Sequence, residues 1–238
     1  GNHSENSNCN YHSAFNGTSS AAPVLAGGIA LILEANPALT WRDVKHILAT
    51  TSDQVHANIT DRSEVVNGTA LIIEPKWLTN GAGHKFHNWY GFGRLNVGAA
   101  VAAAKTMTAN NLGTYGATSW GSSGTLNKTI TANNASGITD ARYYSGSLSI
   151  EAVQIKVNIG HGCTGSIQIE LTSPSGTKSV LKNAFDSFGA EDNLTNWVLL
   201  SNAFYGENSK GTWTIRVIDG YSCGAGYLAN WSIRFMGH

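Results

Sequence analysis

The spacing of apolar and polar residues changes character near residue 110. Before that point, apolar residues fall in helical runs. Pro23-Val-Leu-Ala-Gly-Gly-Ile-Ala-Leu-Ile-Leu-Glu34 is apolar on nearly every side, which predicts a helix buried in a core rather than lying on a surface. Asn36-Pro37 ends it, because proline disfavours helical geometry in the residue before it. Thr40-Trp41-Arg42-Asp43 then has the form of a capping box, and Val44, Ile47 and Leu48 recur at helical spacing, so the second helix is amphipathic. Ser52 to Asn88 predicts a polar loop region interrupted by Leu71-Ile72-Ile73. Tyr90 to Asn96 predicts a short strand or turn, and Val97 to Met107 a third, alanine-rich helix. Pro23 is expected at an early helical position, where no N–H is needed.

Thr108 to Gly124 is rich in Thr, Asn, Gly and Ser, and beyond it the period falls to two. Leu148 to Ile159, Ser166 to Leu171, Trp213 to Ile218 and Trp231 to Phe235 alternate as strands, with turn signals such as Ser173-Pro-Ser-Gly176 between them. The pattern predicts a helix-prone segment over residues 1–107, a linker over 108–115 and an all-β sandwich or jelly roll over 116–238.

Composition narrows the class. The 238 residues allow one or two domains, and only 13% are charged. Net charge is zero with no basic run, which indicates neither nucleic acid nor an anionic membrane as a partner. The longest apolar run, Val24 to Leu33, is too short and too rich in Ala and Gly to span a bilayer. Of the three cysteines, Cys163 and Cys223 lie beside predicted strands and pair best with each other in an extracellular β protein. Cys9 is left over. Gly1-Asn2-His3-Ser4 has neither the basic start nor the apolar stretch of a signal peptide, and the odd cysteine favours a chain that begins inside a longer protein.

The chemistry concentrates in Gly17-Thr18-Ser19-Ser20-Ala21-Ala22-Pro23. A serine nucleophile must stand clear of its neighbours, with its own N–H free to hold a developing oxyanion. The first turn of a helix supplies such N–H groups, and Gly17 lets a substrate carbonyl come close. Read as four residues only, Gly-Thr-Ser-Ser is better explained as a plain N-cap. The flanks decide. G-T-S-S-A-A-P resembles the nucleophile motif of the subtilisin-like serine proteases, and more narrowly their kexin and furin branch, the proprotein convertases. Leu33-Glu-Ala-Asn36 and Leu39-Thr-Trp-Arg-Asp43 are similar to that branch, as are Tyr90-Gly-Phe-Gly93 and Gly98-Ala-Ala-Val101. In the β-rich half, Leu171-Thr-Ser-Pro-Ser-Gly-Thr177, Asn196-Trp197, Gly211-Thr-Trp213 and Gly226-Tyr-Leu228 before Trp231 resemble the P domain of these enzymes.

The resemblance implies a secreted serine endopeptidase acting on proteins or peptides, with residues 1–107 an α/β fragment, the C-terminal helices of its catalytic domain, and residues 116–238 an all-β jelly-roll β-sandwich, the P domain. Ser19 is then the catalytic nucleophile and a backbone oxyanion donor, and Gly17 and Thr18 border the approaching substrate. It also implies that the triad Asp and His and the oxyanion Asn lie far upstream of Ser19, outside this sequence. His3 and His12 are too close along the chain to match the base. On this reading the chain alone is inactive, and Cys9 pairs with an upstream partner. Calcium is common in the family, and the carboxylate-rich loop carrying Asp186, Glu191 and Asp192 is the candidate site here, set against a merely solvated loop. No organic cofactor is implied. His84, His87 and His161 read as structural, Asp219 and Glu170 as strand-end charges, and Trp197, Trp213 and Trp231 as packing. Sequons such as Asn16-Gly-Thr18 read as unused, which points to a bacterial source. The alternative reading is a non-catalytic binding or adhesion jelly roll carrying a protease remnant.

Overall fold

The computed structural model describes residues 15–186 and 193–238. Two compact units emerge, one formed by the chain up to Asp53 with Leu95–Asn111, the other by Gln54–Arg94 with Leu112–His238.

The first unit is helical: α1 (Thr18–Ala35), α2 (Trp41–Thr51) and α3 (Val97–Thr106). The capping box at the start of α2 is complete. Thr40 Oγ1 accepts from the Asp43 N–H at 3.3 Å, and the Asp43 carboxylate accepts the Thr40 N–H at 2.8 Å. The same carboxylate accepts the Asn110 N–H at 2.9 Å, which ties the end of the segment after α3 to the start of α2. Asn36 ends α1 and donates through Nδ2 to the Ala104 and Met107 carbonyls, both at 3.0 Å, closing the last turn of α3. A small core forms from Ile32, Leu39, Val44, Ile47, Ala100 and Ala104.

The helix α1 departs from the sequence expectation in three ways. It is not buried: among its residues only Gly28 and Ile32 are, while Val24 is 68% and Leu31 48% exposed. Only one stripe finds partners in this unit, at Gly28, Ile29, Ile32 and Ala35, so all-round hydrophobicity did not translate into all-round burial. It is also longer than its apolar run, because Thr18 to Pro23 join the helix. At 18 residues it is long and apolar enough to cross a bilayer by length and composition. Finally, Pro23 is the sixth helical residue rather than an early one. Its missing N–H deprives the Ser19 carbonyl of its usual partner one turn on.

The second unit is a β-sandwich with an accessory segment. The segment holds a hairpin, β1 (Arg62–Val66) and β2 (Thr69–Glu74), and a short ladder, β3 (Leu78–Thr79) with β4 (Lys85–Phe86). The sequence reading took this stretch as loop. The sandwich comprises β5 (Gly116–Ala117), β6 (Gly121–Ser122), β7 (Lys128–Ile130), β8 (Asn134–Tyr144), β9 (Ile150–Gly160), β10 (Ile167–Thr172), β11 (Lys178–Lys182), β12 (Asn193–Ser201), β13 (Gly211–Asp219) and β14 (Gly226–Gly237). One sheet runs β11-β10-β13-β8. The other runs β12-β9-β14-β5, with β6 and β7 also paired to β14. All of these pairs are antiparallel.

Period-two alternation explains the core. Val153, Ile155, Val157 and Ile159 of β9 and Trp231, Ile233 and Phe235 of β14 face Ile167, Ile169 and Leu171 of β10 and Trp213, Ile215 and Val217 of β13. Cys163 and Cys223 are joined by a disulfide, with Cα atoms 6.2 Å apart. Beside it His161 and Asp219 are fully buried. The Nδ1 of His161 accepts the Cys163 N–H at 3.0 Å, and its Nε2–H donates to Asp219 at 2.9 Å, so this histidine pins the loop that carries the bridge.

The accessory segment packs on the sandwich through buried polar contacts. Asn80 Nδ2 donates to the Ala203 and Tyr205 carbonyls at 2.9 and 2.8 Å. Glu207 accepts from the Gly81 N–H, the Thr177 hydroxyl and the Ser175 hydroxyl. Val66, Leu71 and Ile73 join Ala135, Ala184 and Ile218 in a second core.

Candidate active-site segment

Gly17 is the N-cap of α1 with φ 82°, a left-handed conformation that favours glycine, and nothing lies within 4 Å of where its Cβ would be. Its carbonyl accepts from both the Ser20 and Ala21 N–H groups at 3.1 Å. Thr18 and Ser19 are the first two helical residues, so their N–H groups have no acceptor within the helix. No side chain caps this end. Ser19 is exposed, as are Ala21 and Ala22. The local geometry therefore presents a hydroxyl and an unused backbone donor at the positive end of an 18-residue helix, which suits an acyl-transfer nucleophile and its oxyanion. Pro23, four residues on in α1, has no N–H to offer the Ser19 carbonyl.

His3, Cys9 and His12 lie outside the described residues. His87 and His161 are structural. His87 is buried, and its Nδ1 accepts the Trp89 N–H at 3.0 Å. Its ring packs against Trp77 and Tyr90. Burial pushes its pKa down, with the Glu74 carboxylate opposing. His84 packs edge-on against Tyr205. Trp213 and Trp231 are fully buried, and their indole N–H groups reach the Ser209 carbonyl and Asp140. Of the two expected strand-end charges, Asp219 does end its strand while Glu170 sits inside β10, and both are buried rather than solvated. Each is satisfied, Glu170 by Gln168 and Arg216, Asp219 by His161 and the Tyr221 N–H.

Of the three calcium candidates, the structure describes Asp186 alone. Glu191 and Asp192 lie outside the described residues, and Asp186 accepts from Lys182 Nζ at 2.9 Å. Lys182 is buried, and its ammonium also donates to the Ile167 and Asn183 carbonyls. Burial lowers its pKa, while Asp186 holds its proton in place. A cation at Asp186 would face this ammonium. No group of three or more His, Cys, Asp or Glu that could hold a metal forms among the described residues.

Residues 1–93 match the model of the subtilase family, and residues 150–235 that of the proprotein convertase P-domain. A proprotein convertase subtilisin/kexin type 6 of Rattus norvegicus is 36% identical over 85% of this chain, and a type 4 of Homo sapiens 33% identical over 93%. A crystal structure of a serine protease of Aeromonas sobria superposes with a TM-score of 0.90, at 28% identity, over 98% of this chain and 46% of that one. The chain spans 20% and 27% of the length of these two convertases. It thus joins the C-terminal segment of a subtilisin-type serine protease to a β-sandwich P domain. Within that class it belongs to the kexin/furin-like branch.

The subtilase match ends at residue 93, yet residues 54–94 pack with the sandwich. The sequence reading missed this. Asn80-Gly81 facing Glu207 is the chemistry that binds the segment there, and it joins residues more than a hundred positions apart.

Proposed function

We propose that the chain is the C-terminal portion of a secreted kexin-like serine endopeptidase whose nucleophile is Ser19. The observation that carries this reading is the exposed Ser19 at the uncapped start of α1, in a chain that aligns with a subtilase and then a P domain. In the whole enzyme Ser19 Oγ attacks the scissile carbonyl carbon and an upstream histidine takes the hydroxyl proton. An upstream aspartate orients that histidine. The Ser19 N–H and an upstream Asn hold the oxyanion. Collapse expels the amine, which receives the proton from the histidine, and water then releases the acyl group by the same steps in reverse.

Gly17 and Thr18 border the acyl group, residues 1–107 act as the end of the catalytic domain, and residues 116–238 support it. Substrates are proteins or peptides. Extracellular location is supported by the Cys163–Cys223 bridge. A bacterial source is supported by the Aeromonas sobria likeness, although the curated relatives quoted above are mammalian.

The test is labelling by a fluorophosphonate of the 238-residue chain, alone and co-folded with an upstream subtilase segment. Labelling only in the co-folded sample, lost in Ser19→Ala, supports the proposal. No labelling in either sample, with both folded, sinks it in favour of a binding module.

A further inference from the structure

Between the accessory segment and the four-stranded sheet lies a cavity of about 400 Å³, within the range of small-molecule sites. Its walls are apolar, from Ile72, Pro75, Trp77, Leu78 and Val180. Trp77 is a fixed wall: its indole N–H donates to the Val55 carbonyl at 2.8 Å and its ring stacks on Tyr90. The charged residues of the lining are three cations, Lys76, Lys178 and Arg216, against one carboxylate, Glu170, in a chain whose net charge is zero.

That carboxylate is already spent. Glu170 is buried; Oε1 accepts from Gln168 at 2.9 Å, and Oε2 accepts from Arg216 Nη1 at 3.0 Å with Lys178 Nζ at 3.6 Å. Arg216 is held in one orientation, since Nε donates to the Ser136 carbonyl and Nη2 to the Ala135 carbonyl. A guanidinium has five N–H groups, so each terminal nitrogen keeps one beyond these bonds. Lys178 is half exposed and bound only at the longer distance. The lining is therefore an apolar slot with a net positive charge and donors still to satisfy.

We propose that this cavity binds an organic carboxylate on an apolar stem, with the stem against Trp77 and Leu78 and the carboxylate at Arg216 and Lys178. Peptide C-termini and medium-chain fatty acids share this chemistry. The site is independent of Ser19 and of the proteolytic reading.

Isothermal titration of the 238-residue chain with decanoate and decanamide tests it, alongside an Ala-Leu-Leu peptide as free acid and as amide. At least one acid should bind one to one, about tenfold or more tighter than its amide, as expected for a charge-assisted contact. Lys178→Gln, at an exposed position that leaves the fold intact by circular dichroism, should weaken the acid severalfold and leave the amide unchanged. Ile72→Glu, which places a carboxylate at the slot, should abolish binding of the acid. Binding of the peptide acid alone assigns the site to chain termini, and binding of decanoate alone assigns it to fatty acids. Equal binding of acid and amide, insensitivity to Lys178→Gln, or no binding of either acid overturns the proposal.

Discussion

At the scale of single residues, the strongest commitments are two buried carboxylates, Asp140 and Asp43. Asp140 accepts from the Trp231 indole at 2.8 Å and from Lys128 and Arg142, each at 2.9 Å. Asp43 holds the α2 cap. Burial pushes both carboxyls up, but the hydrogen bonds outweigh it, and both pKa values lie below the ordinary 3.8. Asp140→Ala strands the buried Trp231 N–H and should cost about 1–3 kcal/mol in a denaturant titration. The pH dependence follows from the same shifts. A carboxyl with a depressed folded pKa contributes its full stability above the unfolded value and loses it as pH falls through the folded one. The melting temperature should therefore drop below about pH 4, and less steeply in Asp43→Asn/Asp140→Asn. Parallel curves for wild type and double variant would refute the linkage. Ser19 could be singled out from the sequence because its motif is local. Asp140 could not, because its partner Trp231 lies 91 positions away.

At the scale of elements, the hairpin β1–β2 turns on Asn67 and Gly68, with φ of 47° and 77°. Two consecutive positive φ values match the type I′ turn that suits right-twisted strands, and Asn-Gly is its favoured pair. The signal stood in the sequence between Val65-Val66 and Thr69-Ala70-Leu71. It was passed over because the surrounding polarity suggested loop. Gly68→Val puts a β-branched residue in the left-handed region and should cost about 1–2 kcal/mol. The check is faster amide exchange in residues 62–74 with the sandwich strands unchanged. Strands β9, β10, β13 and β14 were legible from alternation. Strand β8 was not, since Asn134-Ala-Ser-Gly137 offers few apolar residues to alternate. In β12 the register shifts between Leu194 and Trp197, where Asn196 has φ 49°, and the bulge breaks the period. The burial of α1 was misjudged because composition reports what a helix could bury, not which partners it meets.

At the scale of the molecule, stability is unevenly placed. The Cys163–Cys223 bridge closes a separation of 60 residues, worth about 4 kcal/mol on the chain-entropy account. Cys163→Ser/Cys223→Ser should lower the melting of the sandwich and remove its sensitivity to reductant. The helical unit has no bridge among its described residues, and its core comprises six buried residues against eighteen in the main core of the sandwich. Opening free energies follow buried apolar contacts, so α1 to α3 should exchange their amides before β9, β10, β13 and β14. Within the helices the order should be α1 first, because only Gly28 and Ile32 among its residues are buried, and Pro23 removes one of its hydrogen bonds. Native-state hydrogen exchange by mass spectrometry reads this directly. Co-folding with an upstream subtilase segment should then slow α1 exchange and leave the sandwich strands as they were. Protection of α1 equal to that of β9 in the chain alone would mean that the helix needs no further partner, and Ser19 would already sit on a rigid platform. Slow exchange gained only with the upstream segment would tie the order of the proposed nucleophile's helix to the arrival of that segment.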